Sequence, residues 1–183
     1  MQHGKTAKVY AEDQPSNCYL LNTGSYAVRH TAWPYFVDEA STCAAGQVAS
    51  GGAVGGAFAT DAATGALPTV GWLVPNLCND AHSCPLTVVD GWLKEMLAPV
   101  FAGPDWASGR LVIVVTADED DRSGDNTVLT VVASQSLSGA VVDTPLNHYS
   151  LSAFLSAMSG SDPLREAVGA TSFASAFGLV PAG

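Results

Sequence analysis

The segment 69–84, TVGWLVPNLCNDAHSC, constrains the fold more than any other part of the chain. It contains most of an apolar run, 67–74, that is short enough for a strand and apolar enough to be buried on both faces, as in a parallel sheet. A turn follows, and then Asp80 and His82 lie between two cysteines. The segment therefore predicts a strand that stops at a sheet edge, with a carboxylate and an imidazole on the loop beyond it.

The composition favours a single α/β domain over residues 1–183. A length of 183 residues with 48% apolar residues allows one substantial core and excludes disorder by composition. The formal net charge of −10 leaves no basic patch of the kind that nucleic-acid binding needs, so we expect no nucleic-acid partner. No apolar run reaches the roughly 18 residues of a membrane span, so we expect no transmembrane segment.

The four cysteines predict two local disulfides, Cys18–Cys43 and Cys78–Cys84, because the members of each pair lie near each other in sequence. Four reduced thiols and a zinc site are the alternatives, and the lack of a C-x-x-C pair disfavours zinc. Disulfides imply maturation outside the cytosol, which predicts a secreted, extracellular protein. The opening residues MQHGKTAKVY contain no apolar signal-peptide core, so we expect that a leader has been lost or lies upstream.

Hydrophobic periodicity predicts the elements of the fold. Strands are expected at 5–11, 67–74, 110–116 and 127–133, and helices at 87–101, at 149–158 and from 162 onward. Thr87 is the expected N-cap of the first helix, and Pro99 is expected to end or kink it near Ala98. Residues 24–38 read as an ordered loop with one helical turn. Residues 44–66 read as a flexible segment, because repeated glycine argues against a stable helix.

This order of elements predicts an α/β fold with a mostly parallel sheet flanked by helices. In such folds, ligands bind beyond the carboxyl ends of the strands. Polar groups follow three of the predicted strands in turn: Asp80 and His82, then Asp118 and Glu119, then His148. Parallel strands would bring these exits to one edge of the sheet. Carboxylate oxygens and imidazoles together suit a divalent cation of the zinc, manganese or iron type.

Each of these groups also has a simpler explanation. The acidic run at 118–121, DEDD, is typical of a solvated turn, Asp80 could be an ordinary turn residue, and His148 could bond backbone at the start of a helix. His30, beside Arg29, is either a packed surface histidine or a polar contact at the rim of a site. The recurrence of acid and imidazole at predicted strand exits favours a site for a metal or a polyanion.

Several segments, in this order, resemble the phosphoesterase branch of the alkaline-phosphatase-like superfamily, which includes bacterial secreted acid phosphatases and phospholipase C-like enzymes. They are LPTVGWLVPNLCNDAHSC, DGWLKEMLAPVFA, RLVIVVTADEDD and NHYSL, and the upstream YAEDQPSNC and YAVRHTAWPYF are similar to segments of the same branch. The resemblance covers most of residues 4–155. It implies an alkaline-phosphatase-like fold and a metal-dependent hydrolysis of phosphate esters.

The resemblance also implies roles for the residues that match. In the superfamily a Ser or Thr attacks phosphorus, and metal ions clamp the attacking and leaving oxygens. Asp118 and Glu119 match the acidic pair that holds a divalent metal ion near the nucleophile. Asp80, His82 and His148 match groups that hold a second cation or contact the phosphate directly.

His30 matches a further family histidine, which we assign to substrate binding. The family's acidic-Asn metal motif and its nucleophile both precede the segment that begins at Tyr10. We therefore expect an N-terminally truncated chain, without the nucleophile and inactive alone. The expected substrate is a phosphate-ester small molecule or a phospholipid headgroup. The alternatives are a non-catalytic module on the same fold that binds a cation or phosphate, and a structural domain with no site.

Overall fold

The chain divides at Ala107 and Ser108 into two compact units, each with a sheet of its own. The structure is a computed structural model that describes residues 4–179. The predicted fold class is confirmed, because the strands of the larger sheet run parallel and helices connect them. The single domain expected over residues 1–183 stays a prediction.

The first unit is built on a three-stranded parallel sheet in the order β2-β1-β3. Its strands are β1 (Ala7–Ala11), β2 (Gln47–Ala49) and β3 (Val70–Val74). The strands expected at 5–11 and 67–74 are therefore confirmed. The central strand carries the core, since the last two residues of β1, Tyr10 and Ala11, are almost completely buried.

Strand β3 is more exposed than its apolar sequence predicts. Trp72 keeps 49% of its surface exposed, so the expectation of a strand buried on both faces is wrong. The strand lies at the edge of the described sheet and pairs there with β1. An edge strand is covered by fewer neighbouring side chains than a central one, and an apolar run by itself does not distinguish the two positions.

Helices and short 3₁₀ turns cover this sheet. The helices are α1 (Ala40–Gly46), α2 (Ala57–Thr64), α3 (Leu86–Ala102) and α4 (Pro104–Ala107). The segment expected to hold one helical turn instead contains three 3₁₀ turns, at Val28–His30, Trp33–Tyr35 and Val37–Glu39. None of the helices within residues 4–179 is long and apolar enough to cross a membrane.

The prediction that residues 44–66 form no stable helix is wrong. This region contains the end of α1, all of β2 and all of α2. Its glycines lie outside α2: Gly56 is the N-cap, and Gly65 ends the helix at a φ of 72°, a backbone conformation that glycine adopts without strain. Between them the sequence AFATDAAT is rich in alanine, the best helix former.

Helix α3 is confirmed, with different ends from those expected. Pro85 occupies the N-cap position instead of Thr87, and no side chain caps the helix there. Pro99 does not end the helix near Ala98, since α3 continues to Ala102, and a kink at this proline stays a prediction. A proline removes only its own N–H donor, and this one lies in the last turn, where few helical bonds remain to be lost.

The second unit pairs β4 (Ile113–Val115) with β5 (Val131–Ala133) and adds α5 (His148–Ser159) and α6 (Phe173–Phe177). A 3₁₀ turn, Arg165–Ala167, lies between the two helices. The core of the unit contains buried Phe154, Phe173 and Leu179. Because β4 and β5 are antiparallel, their carboxyl ends point to opposite ends of this sheet. The expectation that all three strand exits share one edge is therefore wrong for this pair.

Both predicted disulfides form. Cys18 is bonded to Cys43. Cys43 is completely buried and lies in α1, the helix that directly precedes β2. Cys78 is bonded to Cys84 and closes a short loop after β3. The structure describes no free cysteine in residues 4–179.

A charged contact fixes α2 on the central strand. Lys8 and Tyr10 of β1 both donate hydrogen bonds to Oδ2 of Asp61 on α2, over 2.5 and 2.6 Å. Burial, together with the Asp61 bond, raises the pKa of Tyr10 above its ordinary value. Burial alone would raise the pKa of Asp61, but the bonds from Lys8 and Tyr10 hold it below its ordinary value. Asp61 therefore stays ionised against the sheet.

We expect Asp61→Ala to lower the free energy of unfolding by about 2 kcal/mol, because it removes two bonds to a charged group and leaves the buried Tyr10 hydroxyl without a partner. Adding Tyr10→Phe should recover part of that loss. Urea unfolding followed by tryptophan fluorescence measures both. Asp90→Ala, at an exposed position of α3, is the control and should change the stability by less than about 0.5 kcal/mol. An equal loss in Asp90→Ala and Asp61→Ala would contradict the assignment.

Candidate functional site

The carboxyl ends of β1 and β3 lie side by side in the first unit. Ala11 pairs with Val74 in the parallel register, so the residues that follow each strand emerge at the same edge. Glu12 follows β1, and the loop that begins at Asn76 follows β3. This is the edge at which parallel α/β sheets bind ligands.

The loop 76–84 is held by its own backbone bonds. The side-chain oxygen of Asn76 accepts hydrogen bonds from the backbone N–H groups of Cys78 and Asn79 at 2.9 and 3.0 Å, as in an Asx turn. The N–H of Ser83 donates to the carbonyl of Leu77 at 2.8 Å. Together with the Cys78–Cys84 disulfide, these bonds give a short loop one conformation.

Histidine, aspartate and arginine side chains converge at this loop. Nδ1 of His30 lies 3.2 Å from Oδ2 of Asp80, and both side chains are largely buried, at 24% and 17% exposure. Oδ1 of Asp80 accepts the backbone N–H of His82 at 2.8 Å. Nη2 of Arg29 lies 3.4 Å from Nε2 of His82. We name these four residues the His30 cluster.

The hydrogen-bond roles in the His30 cluster follow from chemistry. A guanidinium can only donate, so Nε2 of His82 is the acceptor from Arg29, and Nδ1 of His82 carries the proton toward Ser83. The Asp80 carboxylate can only accept, so Nδ1 of His30 donates to it and Nε2 remains for a ligand. The cluster therefore offers a guanidinium fork and, when both nitrogens of His30 carry protons, an Nε2–H donor, and both suit the oxygens of a phosphoryl group.

In the second unit, Asp118 and His148 lie next to each other. The contact uses the main chain, because Nε2 of His148 donates to the backbone carbonyl of Asp118 at 2.8 Å. His148 is the first residue of α5, whose N-cap Asn147 forms a capping box with Ser150. The start of α5 therefore orients the imidazole of His148. Nε2 makes the bond to Asp118, and Nδ1 is the ring nitrogen that this bond does not use.

The two halves of the acidic run 118–121 have different functions. Asp120 accepts three backbone N–H bonds, from Gly124 at 2.8 Å and from Arg122 and Asn126 at 2.9 Å each. These bonds, that from Gly124 first, lower the pKa of Asp120 below its ordinary value. Asp121 bonds Ser123 in the same way. Asp120 and Asp121 therefore form the solvated turn that the sequence analysis gave as an alternative. Asp118 and Glu119, which precede them in the run, are exposed.

The donor chemistry of the two groups fits different ligands. Asp118 and Glu119 are exposed carboxylates and are the oxygen ligands that a divalent cation accepts. His82 lies beside a guanidinium, and this positive charge disfavours a cation there. Within residues 4–179 no three His, Cys, Asp or Glu side chains come close enough together to hold a metal ion. The metal assignment of Asp80, His82, Asp118, Glu119 and His148 stays a prediction.

The predicted site residues thus fall into two groups. His30, Asp80 and His82 come together in the first unit, and Asp118, Glu119 and His148 gather around one loop of the second. A single pocket that unites them stays a prediction.

Sequence reasoning missed two residues that support the first group, Arg29 and Glu12. Arg29 directly precedes His30 in an acidic chain with only seven lysines and arginines. Glu12 directly follows β1, so the rule that site residues follow strands could have found it.

Comparisons with known proteins point to one family. The model of the phosphoesterase family matches residues 1–160. The phosphatidylinositol-3-phosphatase of Mycobacterium tuberculosis is 29% identical over 150 residues, which cover 81% of this chain and 46% of that protein. The phosphate-repressible acid phosphatase of Penicillium chrysogenum is 32% identical over 95 residues, which cover 50% of this chain and 23% of that protein.

A further similar protein is the acid phosphatase of Aspergillus fumigatus, which is 28% identical over 104 residues, covering 55% of this chain and 23% of that protein. The chain therefore spans less than half the length of the curated relatives it matches.

We expect the loop 118–126 to loosen in acid. The pKa of Asp120 is lowered in the folded chain, so its carboxylate stabilises the loop above the ordinary aspartate pKa, and this contribution is lost as the pH falls through the lowered value. Carboxyl ¹³C titration by NMR should place the pKa of Asp120 below the ordinary value, and the amides of Gly124 and Asn126 should shift with the same midpoint. Amide shifts that follow a different midpoint would contradict this role.

Proposed function

This chain belongs to the phosphoesterase family, and on that premise we propose that it forms part of the site of an enzyme that hydrolyses phosphate esters. The observation that carries the proposal is the His30 cluster. It combines Arg29, two histidines and a carboxylate at the carboxyl edge of a parallel sheet. The similarity to proteins named as phosphatases supports the same chemistry.

The His30 cluster is assigned to the phosphoryl group of the substrate. Arg29 and Nε2 of His30 bind its oxygens, and Asp80 orients the His30 ring and stabilises positive charge on it. Charge-assisted bonds of this kind are short and strong, and they stabilise the additional negative charge that develops during phosphoryl transfer. In this assignment His82 accepts a hydrogen bond from Arg29 and orients the guanidinium beside the phosphate.

Asp118 and Glu119 are assigned to a divalent cation, since they are exposed and adjacent in the loop after β4. Such an ion, when bound, would supply Lewis-acid chemistry for phosphoryl oxygens. His148 keeps this part of the loop in place through its bond to the Asp118 carbonyl. None of the described residues is assigned as the attacking nucleophile.

The proposed substrate is a phosphate monoester, either a small molecule or a phospholipid headgroup, and the proposed location is extracellular. One relative is named as a phosphatidylinositol phosphatase and others as acid phosphatases, so both kinds of phosphate ester are kept as candidate substrates. Two disulfides and a charged-residue content of only 13% support an oxidising, extracellular environment.

A non-catalytic phosphate-binding module is the second candidate. The His30 cluster favours it, because its four residues all belong to the first unit and include donors suited to phosphate oxygens. The two candidates differ in turnover and share phosphate binding.

We expect Arg29→Ala to weaken the binding of inorganic phosphate about tenfold, because one charge-assisted bond contributes roughly 1.5–3 kcal/mol, part of which water replaces. Isothermal titration calorimetry at low ionic strength measures the affinity. Arg110→Ala, which removes an exposed arginine of the second unit, is the matched control and should leave the affinity unchanged. Equal weakening by both variants would mean that the loss of affinity comes from the change in net charge, and it would contradict the assignment of Arg29.

We expect Asp118→Asn and Glu119→Gln each to weaken the binding of a divalent cation about tenfold or more, because each removes a negative ligand from the proposed ion. The affinity is measured by isothermal titration calorimetry with Zn²⁺, Mn²⁺ and Ca²⁺ in turn. The control is Asp121→Asn, in the same acidic run, which should leave the affinity unchanged. A cation affinity that neither Asp118→Asn nor Glu119→Gln changes would rule out the acid pair as ligands.

A further inference from the structure

Glu12 is bonded to the end of β3, to the loop that follows it and to α3. Its backbone N–H donates to the carbonyl of Val74, the last residue of β3, at 2.9 Å. Oε2 accepts the backbone N–H of Asn76 at 2.9 Å, and both oxygens accept from Nδ2 of Asn79 at 3.0 Å. Oε1 also accepts Nε1 of Trp92 on α3 at 2.9 Å. One carboxylate thus joins β1, the loop after β3 and α3.

The bonds of Glu12 reach the loop at the residues that shape it. Asn76 forms the Asx turn from which the loop 76–84 starts, and its carbonyl accepts the N–H of Asp80 at 3.0 Å. Asn79 directly precedes Asp80 in the chain, and a single hydrogen bond joins Asn76 to Asp80, so both loop residues bonded to Glu12 adjoin the His30 cluster. Bonds from neutral donors to a carboxylate are stronger than bonds between neutral groups, so this contact determines where the loop lies.

We propose that Glu12 positions the loop 76–84 and thereby holds Asp80 and His82 against His30 and Arg29. The inference rests on the proposed role of the His30 cluster in phosphate binding. Glu12 itself contacts none of these four side chains in the described bonds, so it acts through Asn76 and Asn79.

Glutamine cannot replace Glu12 in this arrangement. Both carboxylate oxygens face N–H donors, from Asn76 on one side and from Trp92 on the other, with Asn79 bonded to both. A glutamine amide has one acceptor oxygen, and its NH₂ group would face a donor in either orientation. Glu12→Gln therefore breaks the contact while keeping the size of the side chain.

The experiment compares Glu12→Gln with two controls. Asp13→Asn changes the next carboxylate, which accepts only the Asn76 side chain, at 2.8 Å, among the described bonds. Trp92→Phe removes the donor from α3 and leaves the bonds that Glu12 accepts from Asn76 and Asn79. Two quantities are measured on the full chain: the Kd for inorganic phosphate by calorimetry, and the ¹H–¹⁵N NMR signal of the His30 Nδ1 proton, which reports the bond to Asp80.

In Glu12→Gln we expect the Kd for phosphate to rise about tenfold or more, as is typical when a residue that orients a binding side chain is lost. We also expect the NMR signal of the His30 Nδ1 proton to shift or disappear. Trp92→Phe should lower the melting temperature but keep the Kd within about twofold, as should Asp13→Asn. If Glu12→Gln does not fold, Asn79→Ala removes the bond from the loop side and should shift both quantities in the same direction.

An unchanged His30 signal in Glu12→Gln overturns the proposal, and so does a rise in Kd that Trp92→Phe reproduces at equal loss of stability. If the unmodified protein does not bind phosphate, the function proposed for the His30 cluster fails. The His30 signal then decides the positioning role by itself: its loss in Glu12→Gln supports the role, and its retention overturns it.

Discussion

The parallel pairing of β1 with β3 is the constraint on which the first unit depends. With Ala11 beside Val74, the residues after both strands emerge at one edge, and the carboxylate of Glu12 comes within hydrogen-bond distance of the loop that starts at Asn76. The same loop is closed by the Cys78–Cys84 disulfide. The strand register therefore fixes the position of the loop, and the loop places Asp80 next to His30.

This arrangement explains how an acidic chain can offer a site for an anion. The formal net charge is −10, which repels phosphate at long range. At short range, however, the guanidinium of Arg29 and the imidazole of His30 are the groups presented, while the Asp80 carboxylate is occupied by His30 and by backbone N–H. In the proposed phosphate site, these local donors select the ligand class, and the net charge affects mainly the rate of encounter.

The acidic run of the second unit shows that adjacent residues of one type can have separate functions. Asp120 binds three N–H groups and shapes the turn, so its carboxylate is not available to a ligand in the same way as those of Asp118 and Glu119. His148, at the start of α5, contacts the backbone of Asp118 and leaves the carboxylate exposed. The fold thus separates the acids that support the loop from those that it presents.

The sequence by itself determined where β1, β3 and α3 lie, which cysteines pair, and which acids and histidines follow strands, because periodicity and spacing are properties of neighbouring residues. The tertiary structure decided what those residues meet. Arg29 lies 53 positions from His82, and Glu12 lies 64 positions from Asn76, so these contacts exist only once strands have paired. It also decided that β4 and β5 run antiparallel, since an apolar run has the same composition in either direction. Local pattern encodes an element, whereas the direction and register of pairing depend on the whole chain.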